Sequence, residues 1–366
     1  MKALARELQE GSDKAIQVTG IQGSCASVVF ASLLKIIQKP SASCFIFILD
    51  DEDEAGYFYH DLTRMLGEER VLSFSSSFKR AIKYGQRDAG QEILRTEVLS
   101  KLASPSSSPL FIVTHPQAIS ELVVTRQMLA EQTLGLGVGE RVDIMFVQET
   151  LLSFGFHRTD YVYEPGQFAV RGSIIDVWSF SCDLPYRIDF FGDEVDSIRT
   201  FEVHSQLSRD RQENITLIGQ FDNLPSDNSL RESFFSFLPK DAILVVKDLL
   251  SVCESVEHIY NEGFVESAIT EGLEIRDERL ERSALLVNPE EFKKQIVDFR
   301  RIELKALPQR GSGEGASIQF HTHPQPVFHK NFDLLISEFK KLQDEGTNIY
   351  ILADSQKQTD RLEARI

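Results

Sequence analysis

Two short and almost uninterrupted apolar runs constrain the fold of this chain most strongly. Residues 44–49 (CFIFIL) and 110–114 (LFIVT) carry no charged side chain, and each run is too short for a typical helix. Such runs are typical of parallel strands that helices cover on both faces. A further strand is predicted at 16–20, and helices are predicted at 28–37, 52–66 and 90–102. Strands that alternate with helices in this way predict an α/β fold with a parallel, helix-covered sheet.

The pattern changes after residue 122, where strand-like runs follow one another with very short connections. These runs are 167–178, 185–191 and 195–203, and a glycine-rich turn is predicted before them at 135–140. Gly192, Asp193 and Glu194 between the last two runs are typical of a hairpin, whereas parallel strands need a longer crossover. The sequence therefore predicts a small inserted α+β domain with an antiparallel meander at 122–206.

The α/β pattern returns after the insertion. A buried strand is predicted at 242–246 and helices at 248–259 and 290–299. We therefore expect residues 1–121 and 207–310 to form one split α/β domain that flanks the inserted domain. Residues 311–366 begin with linker chemistry and are expected to start a further α/β domain, with a helix at 334–342 and a strand at 348–353.

The turn after the first predicted strand has the layout of a phosphate-binding loop but not its chemistry. Such a loop reads G-x-x-x-x-G-K-[ST], and its lysine reaches the phosphate oxygens while its hydroxyl holds magnesium. Here Val18 stands at the first glycine position, Ser24 at the lysine position and Cys25 at the hydroxyl position. The split domain is therefore predicted to be a degenerate P-loop NTPase-like fold without bound ATP or magnesium and without catalytic residues.

Three other groups of residues fit structural roles better than chemical ones. The acidic run 50–54 follows an apolar strand, but it also falls at the start of a predicted helix, where the helix dipole favours carboxylates. His321 and His323 have metal-ligand spacing, with His329 nearby, but no cysteine or carboxylate pattern accompanies them. The serines lack the G-x-S-x-G pattern of a nucleophile elbow. These patterns predict neither a metal site nor a catalytic centre.

Composition argues against several classes of protein. The chain has 56 acidic and 39 basic residues and a net charge of −17, which disfavours an extended nucleic-acid groove lined by Lys and Arg. No apolar run approaches the roughly 18 residues of a membrane span, and the start of the chain has no secretory signal, so no membrane partner is expected. The four cysteines are widely spaced, which predicts free thiols and a cytoplasmic location.

The run 185–191 carries polar and apolar side chains on opposite faces. Alternation puts Arg187, Asp189 and Phe191 on one face and leaves the other face apolar. Arg171 on the preceding run joins them if those strands pair. Because arginine and aromatic residues dominate protein–protein hot spots, one hypothesis is a partner-binding patch of Arg171, Arg187 and Phe191. The alternative is a solvated face on which an arginine pairs with Asp189, worth less than about 1 kcal/mol.

The residues around this face resemble a known module. Three segments carry the resemblance: 164–177 (EPGQFAVRGSIIDV), 185–195 (PYRIDFFGDEV) and 197–201 (SIRTF). They are similar to the damage-recognition module that UvrB shares with the bacterial transcription-repair coupling factors, the Mfd family. The Ser24 and Cys25 replacements favour the N-terminal UvrB-like region of the Mfd family over UvrB, which keeps the phosphate-loop lysine.

The resemblance implies a function and a set of partners. It implies that the inserted domain binds UvrA through Arg171, Arg187 and Phe191, and that this chain is a non-catalytic fragment that recruits nucleotide excision repair to stalled RNA polymerase. It further implies that RNA polymerase, DNA, ATP and magnesium are bound by other, C-terminal domains. One of those domains is expected to cover the UvrA-binding surface in the full-length protein. The alternative hypothesis is a UvrB-type helicase-like ATPase subunit of excision repair.

Overall fold

The computed structural model of the chain describes residues 1–10, 14–37, 42–77, 89–104, 109–221, 230–262, 285–305, 316–322, 328, 331–351 and 355–363. Its contacts divide the chain into two compact units, Met1–His321 and Thr322–Ile366. The helices are α1 (Lys2–Glu10), α2 (Cys25–Ile36), α3 (Glu52–Leu66), α4 (Ala89–Ala103), α5 (Pro116–Ser120), α6 (Arg126–Glu131), α7 (Ile144–Ser153), α8 (Phe234–Phe237), α9 (Leu249–Glu262), α10 (Pro289–Ile296), α11 (Phe332–Asp344) and α12 (Gln356–Glu363). The strands are β1 (Ala15–Thr19), β2 (Cys44–Ile48), β3 (Val71–Phe74), β4 (Leu110–Thr114), β5 (Val123–Val124), β6 (Thr133–Gly137), β7 (His157–Arg158), β8 (Gln167–Arg171), β9 (Ile174–Val177), β10 (Tyr186–Phe191), β11 (Glu194–Phe201), β12 (Ser208–Gln212), β13 (Asn214–Ile218), β14 (Arg231–Glu232), β15 (Ile243–Val246), β16 (Arg300–Lys305) and β17 (Ala316–Gln319).

A seven-stranded parallel sheet is built from both ends of the first unit. Its strand order is β17-β1-β16-β15-β2-β4-β3, and every pair is parallel. Strands β1 to β4 precede the antiparallel part of the chain, and β15 to β17 follow it. The α/β fold class is therefore confirmed. The sheet also includes β17, which lies beyond the predicted limit at residue 310.

The two faces of this sheet pack against separate apolar cores, as the uninterrupted apolar runs predicted. Every residue of β2 and β4 is buried. Along β2, Phe45 and Phe47 belong to one core, whereas Ile46 and Ile48 belong to the other. Alternation along a strand sends successive side chains to opposite faces, so a strand covered on both sides is apolar throughout. Two elements that the sequence did not predict also contribute to these cores. Strand β3 contributes to both cores, and helix α1 contributes to the core that contains Phe45 and Phe47.

The acidic run after β2 begins a helix, as predicted. Asp51 is the N-cap of α3, and its carboxylate accepts a hydrogen bond of 2.9 Å from the Glu54 amide. Glu52, Asp53 and Glu54 then occupy the first turn, where the helix dipole stabilises negative charge. The helix ends at Gly67. This run is therefore explained by capping.

A second, six-stranded sheet lies between the two halves of the parallel sheet in the sequence. Its order is β12-β11-β10-β9-β8-β7, antiparallel except for the β7–β8 pair. Its inner face forms a core of its own, in which Ile188 and Phe190 of β10 pack with Val147 and Leu151 of α7. Strand β13 pairs with β6 beside this core. Strands β12 and β13 lie beyond residue 206, so antiparallel structure continues past the predicted end of the insertion.

Three predicted elements differ in the structure. The run 167–178 is a hairpin of β8 and β9 with a turn at Gly172 and Ser173, because glycine in the left-handed region permits the reversal. The first half of the predicted turn 135–140 belongs to strand β6, because Leu134 and Leu136 pack on the β7–β12 core, and the turn itself follows at 138–139. Residues 348–351 are not in a strand, since the described part of the second unit offers no strand for them to pair with. Residues 352–353 lie outside the described residues, as do His323 and His329.

The described residues also bear on the predictions about cysteine, metal and membrane. All four cysteines are free thiols, and burial raises the pKa of Cys44 to about 12. Among the described residues, no helix is both long and apolar enough to cross a membrane, and no cluster of side chains has the makeup of a metal site.

Candidate partner-binding site

Strand register builds the candidate site on the outer face of the six-stranded sheet. Arg187 of β10 lies directly opposite Asp176 of β9 and, on its other side, Arg199 of β11. Asp176 in turn lies opposite Ala169 of β8. The neighbouring row, which includes Ile175, packs into the core. Because rows alternate between the two faces, the row through Asp176 and Arg187 faces away from that core.

Arg187 makes a bidentate ion pair with a buried carboxylate. Its Nε donates to Oδ1 of Asp176 at 2.7 Å and its Nη2 donates to Oδ2 at 2.9 Å. Nη1 donates to the main-chain oxygen of Gln206 at 3.0 Å, and the guanidinium lies 4.7 Å from the Phe201 ring centre. These hydrogen bonds to Asp176 raise the pKa of Arg187 above its ordinary value. With only 15% of its side chain exposed, Arg187 is a fixed and largely covered positive charge.

Arg171 shares the same carboxylate from the end of β8. Its Nη2 contacts Oδ2 of Asp176, whose side chain is fully buried, and its guanidinium lies 5.4 Å from the Tyr161 ring centre. The Arg171 side chain remains 38% exposed. Two guanidinium groups around one carboxylate leave a net charge of +1, and Arg171 carries the more accessible part of it. We call Arg171, Asp176 and Arg187 the arginine–aspartate triad.

Phe191 lies on the same face but at the far end of β10. Its side chain is 83% exposed. The amide of Phe190 donates to the oxygen of Ser173 at 2.9 Å, so the end of β10 lies beside the turn that follows Arg171. Phe191 lies four positions beyond Arg187, or about 13 Å along a strand. The structure thus brings the two predicted arginines together and places the predicted phenylalanine on the same outer face, near the hairpin.

The predicted pairing of an arginine with Asp189 takes a different form. Arg187 does not use Asp189, because Asp176 lies directly opposite it in the register. Asp189 instead accepts a hydrogen bond of 3.0 Å from the Ser197 hydroxyl and lies 3.4 Å from the guanidinium of Arg199. An arginine–carboxylate ladder therefore exists on this face, with partners taken from neighbouring strands.

Two residues of the site were missed by sequence reasoning. Asp176 had a usable signal, since it is the single charged residue in the run IIDV and alternates with Ile175 and Val177 toward the arginine-bearing face. Gln206 had none, because it contributes a main-chain oxygen. Its φ of 57° is the one left-handed backbone conformation of a non-glycine residue among the described residues, and this turn directs its carbonyl to Arg187.

Main-chain hydrogen bonds connect the start of the turn after β1 to the two neighbouring strands. The amide of Gly20 donates to the oxygen of Lys305 at 3.2 Å, and the amide of Phe320 donates to the oxygen of Thr19 at 2.8 Å. Helix α2 follows, and its N-cap Ser24 makes no side-chain capping bond. Strands β16 and β17 therefore flank the turn from either side of β1, and residues 20–25 contribute no cation to it.

The acids that follow β2 at this edge of the parallel sheet are paired with a lysine. Nζ of Lys247, just after β15, lies 2.8 Å from Oδ2 of Asp50 and 2.5 Å from Oε1 of Glu54. These ion pairs raise the pKa of Lys247 above its ordinary value despite the opposing effect of its burial. The ion pairs connect β15 to the start of α3 and partly neutralise the acidic run.

Comparisons with known proteins place the candidate site in a recognised domain. Residues 134–221 match the family model of the UvrB interaction domain. The chain is similar to the transcription-repair-coupling factors of Escherichia coli K12, with 25% identity over 66% of this chain and 20% of that protein, and of Bacillus subtilis 168, with 27% identity over 57% and 17%. The match to the factor of Staphylococcus aureus RF122, at 22% identity, covers 95% of this chain and 34% of that protein.

These matches confirm the resemblance to transcription-repair-coupling factors and the presence of a UvrB-like domain. The chain spans about a fifth to a third of the length of these relatives, with 17% to 34% of each covered. The matched domain runs to residue 221 and so includes β12 and β13.

Proposed function

We propose that this chain binds UvrA through the outer face of its six-stranded sheet, and that it thereby recruits nucleotide excision repair to stalled RNA polymerase. The observation that carries the proposal is the arginine–aspartate triad, with exposed Phe191 on the same face, inside the segment that matches the UvrB interaction domain. Phe191 is largely exposed among the described residues, and aromatic residues are frequent anchors of protein interfaces.

The arginine–aspartate triad presents a positive charge in a fixed position to a binding partner. Asp176 on β9 holds the guanidinium groups of the two strands that flank it, so little side-chain entropy is lost when a partner carboxylate approaches. Charge-assisted hydrogen bonds from arginine to carboxylates are among the strongest polar contacts in proteins. In this proposal Arg171 and the exposed part of the Arg187 side chain fix the orientation of UvrA, and Phe191 supplies the apolar anchor.

Binding is tested with purified UvrA by biolayer interferometry. We expect Arg171→Ala, Arg187→Ala and Phe191→Ala each to weaken UvrA binding by about 1 kcal/mol or more, as hot-spot residues do. Tyr57→Ala and Arg6→Ala are the matched controls, because they remove an exposed aromatic ring from α3 and an exposed arginine from α1, outside the six-stranded sheet. Phe191→Ala is the decisive variant, since its exposed side chain supports no core. Unchanged affinity in all three variants would reject the site.

The proposed role is non-catalytic and cytoplasmic. RNA polymerase, DNA, ATP and magnesium are assigned to other domains of the whole protein, one of which is proposed to cover the UvrA-binding face. The absence of a cation in residues 20–25 and the pairing of Lys247 with acids support this division. A nucleotide site needs positive charge where the phosphates lie.

Calorimetric titration tests the non-catalytic role. We expect no saturable heat when this chain is titrated with ATP and magnesium to millimolar concentration. A measured dissociation constant in the micromolar range, accompanied by ATP hydrolysis, would instead support the helicase-like ATPase alternative.

A further inference from the structure

A second group of arginines continues the outer face beyond the triad. Arg199 of β11 lies directly opposite Arg187 on one side and directly opposite Arg211 of β12 on the other. Three arginines therefore occupy one cross-strand row on three neighbouring strands. Residues directly opposite in an antiparallel pair have their Cβ atoms about 5 Å apart, and like charges at such positions destabilise a sheet.

The charges in this row are unequally compensated. Arg187 is neutralised by buried Asp176, and Arg199 lies 3.4 Å from Asp189. Arg211 is exposed and has no ion-pair partner among the residues that the structure describes. Together with Arg171, these arginines surround two aspartates, Asp176 and Asp189, while a third carboxylate, Glu194, lies opposite Phe191 at the far end of β10, in a chain whose net charge is −17. Like charges at directly opposite positions make this row less stable than a row of alternating charges would be.

We propose that Arg199 and Arg211 extend the partner-binding site across β11 and β12 and bind an acidic, carboxylate-bearing surface of the same protein partner. The inference rests on the proposed function, since it assigns further residues and a charge to the same interface. Arg211 lies two strands, or about 10 Å, from Arg187, well within the footprint of an ordinary protein interface. Its place on the edge strand β12 leaves the guanidinium accessible.

Protein carboxylates fit this row better than nucleic-acid phosphates do. A duplex contacts a broad array of cations, and its approach to a strongly acidic chain is opposed over a long range. A single row of arginines on the same face as an exposed phenylalanine, about 13 Å from it along the strand, instead resembles the polar rim of a protein interface around an aromatic anchor. Charges in such a rim act mainly on the rate of association and on its salt dependence.

The test reverses the charge at the edge of the row. Arg211→Glu should slow association with UvrA about tenfold at low ionic strength, and most of this effect should disappear near 0.5 M NaCl because screening is then strong. The same variant should melt at a higher temperature than the wild type in the absence of UvrA, because Arg199 gains an opposite charge across the strand pair. Arg158→Glu on β7, at the other edge of the same sheet, is the control for the change in net charge.

The outcomes separate this inference from the proposed function. If wild-type protein binds UvrA and Phe191→Ala weakens binding, but Arg211→Glu associates as fast as Arg158→Glu, this inference is overturned and the proposed function stands. If wild-type protein does not bind UvrA, both are overturned. Low-salt binding of duplex DNA that Arg211→Glu abolishes would show that the row binds phosphates and would also overturn the inference.

Discussion

At the scale of single residues, Asp176 determines whether the candidate site has a defined geometry. Its carboxylate is buried and accepts from both Arg171 and Arg187, so removal of its charge leaves two guanidinium groups without their common partner. Loss of one partner from a buried ion pair is strongly destabilising, because the remaining charge is left uncompensated. In the proposed interface with UvrA, Asp176 is thus a positioning residue that acts only through the arginines.

We predict that Asp176→Asn lowers the free energy of unfolding by about 3 kcal/mol and weakens UvrA binding at temperatures where the variant remains folded. Urea denaturation and interferometry measure the two effects. Asp189→Asn is the control, since Asp189 lies on the same face but is partly exposed and should cost less than about 1 kcal/mol. Equal losses of stability in the two variants would contradict the central role of Asp176.

The sequence allowed the face of each residue to be predicted but not its partner. Alternation along 185–191 correctly separated Arg187 from Ile188. Pairing depends on register, and register here depends on the hairpin turn at Gly172 and Ser173, which was not recognised inside the single strand-like run predicted at 167–178. The carbonyl of Gln206 could not be predicted at all, because it is placed by backbone conformation.

At the scale of elements, the turn before β8 depends on a glycine in crowded surroundings. Gly166 has φ of 81°, and a Cβ there would lie 2.3 Å from Cζ of Phe180. Its amide donates to the oxygen of Trp178 and its oxygen accepts from the amide of His157, so the turn joins β7, β8 and the end of β9. A side chain at this position would therefore have two effects: it would strain the backbone of residue 166, and it would displace the ring of Phe180.

We predict that Gly166→Ala lowers the free energy of unfolding by about 2 to 5 kcal/mol, which combines left-handed strain with overpacking. Gly172→Ala is the matched control, because φ is 63° there and no atom lies within 4 Å of the added Cβ. It should cost only the backbone strain, about 1 to 2 kcal/mol. Urea midpoints measure both, and equal midpoints would show that Phe180 moves aside without cost.

The elements that sequence patterns predicted well are those whose environment is uniform. Strands β2 and β4 are buried on both faces, so their apolar runs have no competing interpretation. Strand β6 was missed because Gly135 and Gly137 indicated a turn, although its leucines alternate toward a core. The apolar run at 348–351 was wrongly predicted as a strand, because apolar character alone does not supply a pairing partner.

At the scale of the whole molecule, the parallel sheet depends on two distant parts of the chain. Strand β1 lies between β16 and β17, and β15 lies between β16 and β2. Neither half can complete the sheet alone, whereas the six-stranded sheet has its own core and is continuous in sequence. The return of the α/β pattern after the insertion predicts a split domain, and the strands of the parallel sheet come from both sides of the insertion. The strand order was not predictable, because local sequence does not encode which strands meet.

This separation of cores predicts two cooperative units with different responses to the same substitution. Ile302 of β16 and Ile188 of β10 are both fully buried, one in the core of the parallel sheet and the other in the core of the six-stranded sheet. Replacement of either by alanine should cost about 2 to 5 kcal/mol. We expect Ile302→Ala to reduce the hydrogen-exchange protection of β1, β2 and β15 while β8 to β11 stay protected, and Ile188→Ala to produce the reverse pattern.

Because the proposed UvrA contacts lie wholly on the six-stranded sheet, Ile302→Ala should also retain UvrA binding under conditions where Ile188→Ala has lost it. Equal loss of protection in both sheets, from either variant, would show instead that residues 1–321 unfold as one unit and that the binding face depends on the degenerate nucleotide fold for its stability.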